Sequence, residues 1–253
     1  AIIYGVCREM MALGVPVEGF NTAFAGDVPL GAGMSSSAAL ESTYAFGLND
    51  LFGDNKIERM ELARVGQRTE HKYIGVNCGI MDQAISCLGK AGHLMRMDCR
   101  SGEVEYFPWH PKGYQLVLVN SCVKHELKGS PYNERRLQCE HVAEIISKKH
   151  PEVKSLRDAT MEMLDEVKDD ITGAEYKRAR YVIGEVVRVL AVCKALEADD
   201  YEKVGQMMYD THYGLSKEYE VSCEELDYLN DIAKECGVTG SRIMGGGFGG
   251  CTI

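Results

Sequence analysis

Apolar positions recur along the chain with two periods, and the changes from one to the other mark out its elements. Ile2, Ile3, Val6 and Met10 share one face of a helix that is already under way at the first residue. Val17, Phe20, Thr22, Phe24 and Val28 predict a strand over 17–28, ended by Pro29. After a glycine-rich loop, Leu40, Tyr44, Leu48 and Leu51 return at helical spacing, with Ser35 and Ser36 standing where N-caps would stand. Leu62, Val65 and Thr69 define a second helix over 57–73. Residues 92–98 and 104–107 read as a hairpin turning at Ser101 and Gly102.

Pro108, Pro111 and Gly113 punctuate the chain, so the expected domain boundary divides 1–112 from 113–253. A strand over Tyr114–Asn120 opens the second part. Helices are predicted beyond it at 132–149, 174–198, 200–216 and 223–236. A glycine-rich segment, M-G-G-G-F-G-G-C-T-I, closes the sequence. Periodicity alone thus gives mixed α and β structure with a break near residue 112.

The loop P-L-G-A-G-M-S-S-S-A-A-L-E from Pro29 carries the clearest chemistry. Gly31 and Gly33 let the backbone turn tightly and bring N–H groups close to an anion. The helix that follows offers unsatisfied N–H groups and a partial positive charge to a phosphate. Two glycines and a serine would equally serve a plain turn with an N-cap. No lysine follows the second glycine, and no serine is flanked by glycines at nucleophile-elbow spacing. Asp82, after Ile80 and Met81 in G-V-N-C-G-I-M-D-Q, is a turn residue or a base in a partly dry pocket. Glu70 reads as a solvated helix face, and Tyr132 as half-buried packing at a helix start. Gly245–Gly250 fits G-x-G-x-x-G formally, but a helix precedes it and C-T-I follows, so it is no dinucleotide fingerprint.

Composition narrows the classes. A hydrophobic fraction of 45% over 253 residues supplies a sizeable core, and a formal charge of −10 argues against nucleic acid as a partner. No apolar run is long enough to span a membrane, and no signal peptide opens the sequence. The ten cysteines are scattered singly with no C-x-x-C pair, as expected of reduced thiols in a cytoplasmic protein rather than of a disulfide framework or zinc site.

Taken as a whole string, P-x-G-x-G-(L/M)-S-S-S-A resembles the second motif of the GHMP kinases, and M-G-G-G-F-G-G resembles their third. C-G-I-M-D-Q, S-P-Y-N-E-R-R-L-Q-C, D-C-R-S, L-V-L-V-N-S and Y-E-V-S-C-x-E-L-D are similar to segments of the galactokinase branch. The resemblance implies an α+β fold of two domains: an N-terminal one like ribosomal protein S5, a ferredoxin-like C-terminal one, and an active site in the cleft between them. It implies ATP on Gly31, Ala32, Gly33, Met34, Ser35, Ser36 and Ser37. It also implies Mg²⁺ on Ser37 and Glu70, Asp82 as the base, and galactose against Gly79, Asp82 and Tyr132. The ion choice suits its taste for hard oxygens and few protein carboxylates. The implied reaction moves the γ-phosphoryl of ATP to O1 of galactose in a monomeric cytoplasmic enzyme. Another hexose, such as N-acetylgalactosamine, and a non-catalytic sugar sensor are the alternative readings. The resemblance leaves Arg135, Arg136 and the contacts of Gly245–Gly250 without assigned roles.

The family's opening G-R-V-N-L-I-G-E-H-T-D-Y string, with its arginine and sugar-binding residues, does not occur here, nor do the strands expected after the third motif. The 253 residues therefore read as a fragment, expected to be inactive or nearly so by themselves.

Overall fold

Val6 and Met10 on α1 (Ile2–Ala12) are fully buried, and they meet Tyr44, Ala45 and Leu48 of α2 (Ser36–Phe52) and Leu62, Ala63 and Val65 of α3 (Arg59–Thr69). The apolar stripes read from the sequence are thus the faces that pack, except at Leu51, which is 66% exposed. We describe the fold from a computed structural model in which residues 1–30, 33–123 and 131–253 are described, the side chain of Tyr132 excepted. The chain forms two compact units, Ala1–His110 and Pro111–Ile253.

In the first unit, α3 runs into one wide π-helical turn, Glu70–Ile74, which Gly75 ends in the left-handed region at φ 82°. A short α4 (Met81–Leu88) follows, buried through Gln83, Ala84 and Cys87. Buried Glu9 on α1 pairs with Arg68 at 2.7 Å and Lys72 at 2.9 Å, tying α1 to α3 and the wide turn. The expected hairpin is present as β1 (His93–Met97) and β2 (Val104–Pro108), antiparallel with Met95 opposite Tyr106.

In the second unit, Val142 and Ile146 of α5 (Tyr132–Ser147) pack with Leu156, Leu164, Val167 and, on α7 (Gly173–Glu197), Ala179 and Ile183. A short α6 (Met161–Asp165) lies between them in sequence, and α8 (Tyr201–Lys217) and α9 (Glu224–Glu235) follow. The capping box that starts α7, Thr172 with Glu175, satisfies its first amides and fixes where the helix begins. A two-residue β3 (Val119–Asn120) pairs antiparallel with β4 (Cys251–Thr252). Among the described residues, no helix is long and apolar enough to cross a membrane.

Two expectations need correction. No strand forms over 17–28: residues 21–27 are exposed and no ladder partner is present among the described residues. Aromatic contacts hold the segment instead, with Phe20 and Phe24 against Tyr44 and the Thr22 hydroxyl 3.1 Å from the Tyr44 phenol. The strand expected over Tyr114–Asn120 shrinks to its last two residues, since only these find a partner strand among the described residues. An extended apolar run is not a strand without that ladder.

Leu62 is almost fully buried at the centre of the first core. Leu62→Ala should cost about 2–5 kcal/mol in denaturant unfolding; a loss under about 1 kcal/mol would show that this core is not tightly packed.

Candidate active site

The backbone at the start of α2 is shaped so that its first amides stay open. Gly33 and Ser35 both sit at positive φ, 74° and 54°, which folds the chain sharply before the helix begins. Ser35 is the N-cap residue, yet its hydroxyl caps no amide, and the first turn holds no acidic side chain. The first amides of the helix therefore keep their hydrogen-bonding capacity and the partial positive charge that goes with it. Ser36 and Ser37 begin the helix itself. This corrects the expected capping role: the Ser35 hydroxyl turns to another partner. Gly31 and Ala32 lie outside the described residues; Met34 lies inside, half-buried.

That partner is Asp82. Ser35 Oγ donates to Asp82 Oδ2 at 2.5 Å, linking residues 47 apart in sequence. Asp82 is not in a glycine-rich turn but in the first turn of α4, and neither is its surrounding dry. Asp82 is exposed and Met81 is 59% exposed, because α4 packs through the small side chains Ala84 and Cys87 on its other face.

Glu70 departs from the solvated-face reading. It opens the wide turn after α3 and is only 7% exposed. Around it lie two groups that the sequence reading passed over. Glu41, one helical turn beyond Ser37 on α2, has no solvent exposure, and its Oε2 accepts from the Gln83 amide at 3.1 Å. Its other oxygen, Oε1, meets no donor among the described residues, and the carboxyl group nearest in effect is that of Glu70. Burial pushes Glu41 up to about 8, the charges of Glu70 and Asp82 add to the rise, and the Gln83 hydrogen bond opposes it. Burial, with the charges of Glu70 and Glu41, likewise pushes the Cys78 thiol up to about 11. Glu41 was legible only as the last letter of the phosphate loop string; its i+4 spacing from Ser37 was the available signal.

The carbonyl of Cys78 is held from two sides, by the Gln67 amide at 3.3 Å and His71 Nε2 at 2.9 Å. This fixes the backbone entering Gly79, which is exposed with open space where a side chain would stand. Ser35, Asp82, Glu41 and Glu70 thus form one constellation in the first unit. Tyr132 opens α5 in the second unit, and its side chain lies outside the description.

The two segments without assigned roles also resolve. Buried Arg135 donates through Nε to the Tyr219 carbonyl at 2.9 Å and through Nη2 to that of Glu220 at 3.2 Å, clamping the loop before α9. Arg136 pairs with Glu140 at 2.8 Å on the surface. The glycine-rich end is left-handed at Gly245, Gly247, Phe248 and Gly250; Phe248 N donates to the Val221 carbonyl at 2.7 Å, and Ser121 Oγ to that of Gly250 at 2.6 Å.

Residues 1–90 match the family model described as the GHMP kinases N-terminal domain, and residues 193–253 match that of the GHMP kinases C-terminal domain. The fold is that of a GHMP kinase. Galactokinase from Bos taurus is 43% identical over 253 residues, covering 99% of this chain and 62% of that protein. Galactokinase from Thermotoga neapolitana is 39% identical over 252 residues, covering 99% of this chain and 69% of that one. The crystal structure of Lactococcus lactis galactokinase complexed with galactose superposes with a TM-score of 0.87 at 33% identity, over 100% of this chain and 65% of its own. The chain belongs to the galactokinase family of GHMP kinases, and spans between 62% and 69% of the length of these relatives.

Glu41 supplies a pH test. Its folded pKa of about 8 lies above its ordinary value of 4.5, so folding favours the protonated form. The stability it contributes is complete below the ordinary value and is lost as pH rises through about 8. Melting temperatures between pH 5 and 9 should fall more steeply with pH for the native chain than for Glu41→Gln; identical slopes would contradict the shift.

Proposed function

We propose that a protein carrying these residues transfers the γ-phosphoryl group of ATP to O1 of galactose. The observation that carries the reading is the Ser35–Asp82 hydrogen bond, which sets a carboxylate beside the uncapped start of α2. A phosphate needs the one and an attacking hydroxyl needs the other. Phosphoryl transfer depends on positioning and charge stabilisation rather than on covalent catalysis, so these two groups in register supply most of what the protein must bring.

In this reading the ATP phosphates lie on the amides of the Gly31–Ser37 loop and the first turn of α2. The Ser35 hydroxyl occupies one lone pair of Asp82 and orients its carboxylate, leaving the other oxygen to accept from the sugar. Asp82 takes the proton of galactose O1 as that oxygen bonds to the γ-phosphorus. The bond from the γ-phosphorus to the bridging oxygen breaks, and ADP leaves with the electron pair. Gly79 offers a backbone contact to the sugar.

The oxygen donors present fit magnesium. Glu70 is a buried carboxylate and Ser37 a hydroxyl, and no group of three or more His, Cys, Asp or Glu among the described residues is arranged to hold a metal alone. That is the pattern for an ion which takes one or two protein oxygens and fills its shell with phosphates and water. Ser37 and Glu70 would hold it, and it would supply neutralisation of the phosphate charge.

The test is ADP release coupled to galactose addition. Asp82→Asn should lower kcat by about a hundredfold or more, within the range for removing a positioned general base, with a smaller change in KM for ATP. Full galactose-dependent turnover by Asp82→Asn would overturn the assignment of the base.

A further inference from the structure

Within the helix that carries Asp82, apolar anchoring is weakest at the end where Asp82 sits: Ile80, just before it, packs against the first core but is only partly buried. α4 is eight residues long, and its buried apolar side chains, Ala84 and Cys87, are small and lie beyond its first three residues. Met81, which starts it, is exposed. Packing of this kind restrains the distal turn more firmly than the first turn, where the base is.

What reaches into the core from that first turn is Gln83, the residue after Asp82 and only 3% exposed. Its amide donates to Glu41 Oε2 at 3.1 Å across the α2–α4 contact. The third helix is fitted to this bond. A Cβ on Gly66 of α3 would come within 2.9 Å of both Gln83 Cγ and Glu41 Oε2, so the glycine admits the pair between the helices. Burying a carboxyl group here is costly, and a well-packed apolar pair of the same volume is often as stable or more so. Its presence calls for a role other than stability.

Building on the reading of Asp82 as the base, we infer that Glu41 and Gln83 are positioning residues for Asp82. Their buried hydrogen bond sets the first turn of α4 against α2, so that the base meets the phosphate-binding helix end in one register. The Ser35–Asp82 bond lies at the solvent side of the same contact and the Gln83–Glu41 bond at its core side. Two such ties, on Asp82 and on its neighbour, define the roll of α4 about its axis; the exposed one alone would leave it free to turn.

The test compares Glu41→Met, Gln83→Met and the double variant with the unsubstituted residues, all within a galactose-active protein that carries this chain, by amide hydrogen exchange, thermal melting and steady-state kinetics. The diagnostic amide is Ala84, which donates to the Ile80 carbonyl and closes the first turn of α4. Its exchange should quicken in each variant while amides in the middle of α2 stay protected; each single variant, which leaves one buried polar group unpaired, should melt lower, and the double variant should melt close to the native protein. Turnover with galactose should show kcat lowered by about 10- to 100-fold, the scale of an ångström-sized misplacement, with KM for ATP nearly unchanged. The double variant should be no worse than the single ones, because both remove the same bond. Unchanged exchange at Ala84 in both single variants, or losses in kcat that simply multiply in the double variant, would overturn the inference. Quickened exchange at Ala84 in a chain whose turnover does not depend on Asp82 would leave the link standing and remove the functional reading beneath it.

Discussion

A carboxyl group shut off from water lies where α2, α3 and α4 meet, and the geometry of the first unit is arranged around it. Glu41 accepts from Gln83 and feels the charge of Glu70, and Gly66 leaves just enough room for the Glu41–Gln83 pair. Unsatisfied or unpaired charge is expensive in such a place. The three helices are therefore constrained to the arrangement in which each polar atom there finds what partner it can. Apolar packing of Val6, Leu48 and Leu62 holds these elements together. The polar junction decides how they are set, and with them the ends of α2 and α4.

Those ends carry opposite demands. The start of α2 has open amides that suit an anion, while the start of α4 bears an aspartate that would repel one. Ser35 reconciles them: its left-handed backbone turns the hydroxyl away from capping and toward Asp82. The carboxylate is held in place, and the amides of α2 stay available. Backbone strain of this sort, about 1 kcal/mol for a non-glycine residue, recurs at sites where structure serves chemistry.

Much of this was legible in the sequence. Helices with large apolar residues at regular spacing, α2, α3, α5, α7, α8 and α9, fall close to the expected ranges because Leu, Ile and Val announce a buried face. The helix carrying Asp82 was missed because its buried apolar residues are Ala84 and Cys87, which make little pattern. The strands over 17–28 and 114–118 were over-read, since alternation describes what a segment suits and cannot supply the neighbouring backbone that makes a ladder. Ser35, Asp82 and Glu70 stood out through whole motif strings. Glu41 and Gln83 stood within the same strings and passed without notice, because a buried polar pair is defined by a contact 42 residues apart in sequence. Glu70 reversed its simplest reading for a related reason: a widened π-helical turn, invisible to a 3.6-residue period, carries it inward.

The central claim is that the start of α2 and Asp82 together transfer phosphate to the anomeric oxygen of a sugar. Phosphorus NMR of a mixture with ATP, magnesium and galactose tests it most directly. The account predicts a new phosphomonoester resonance coupled to the anomeric proton, growing in step with ADP and absent for Asp82→Asn. A product phosphorylated at another carbon, or release of inorganic phosphate without any sugar ester, would contradict it.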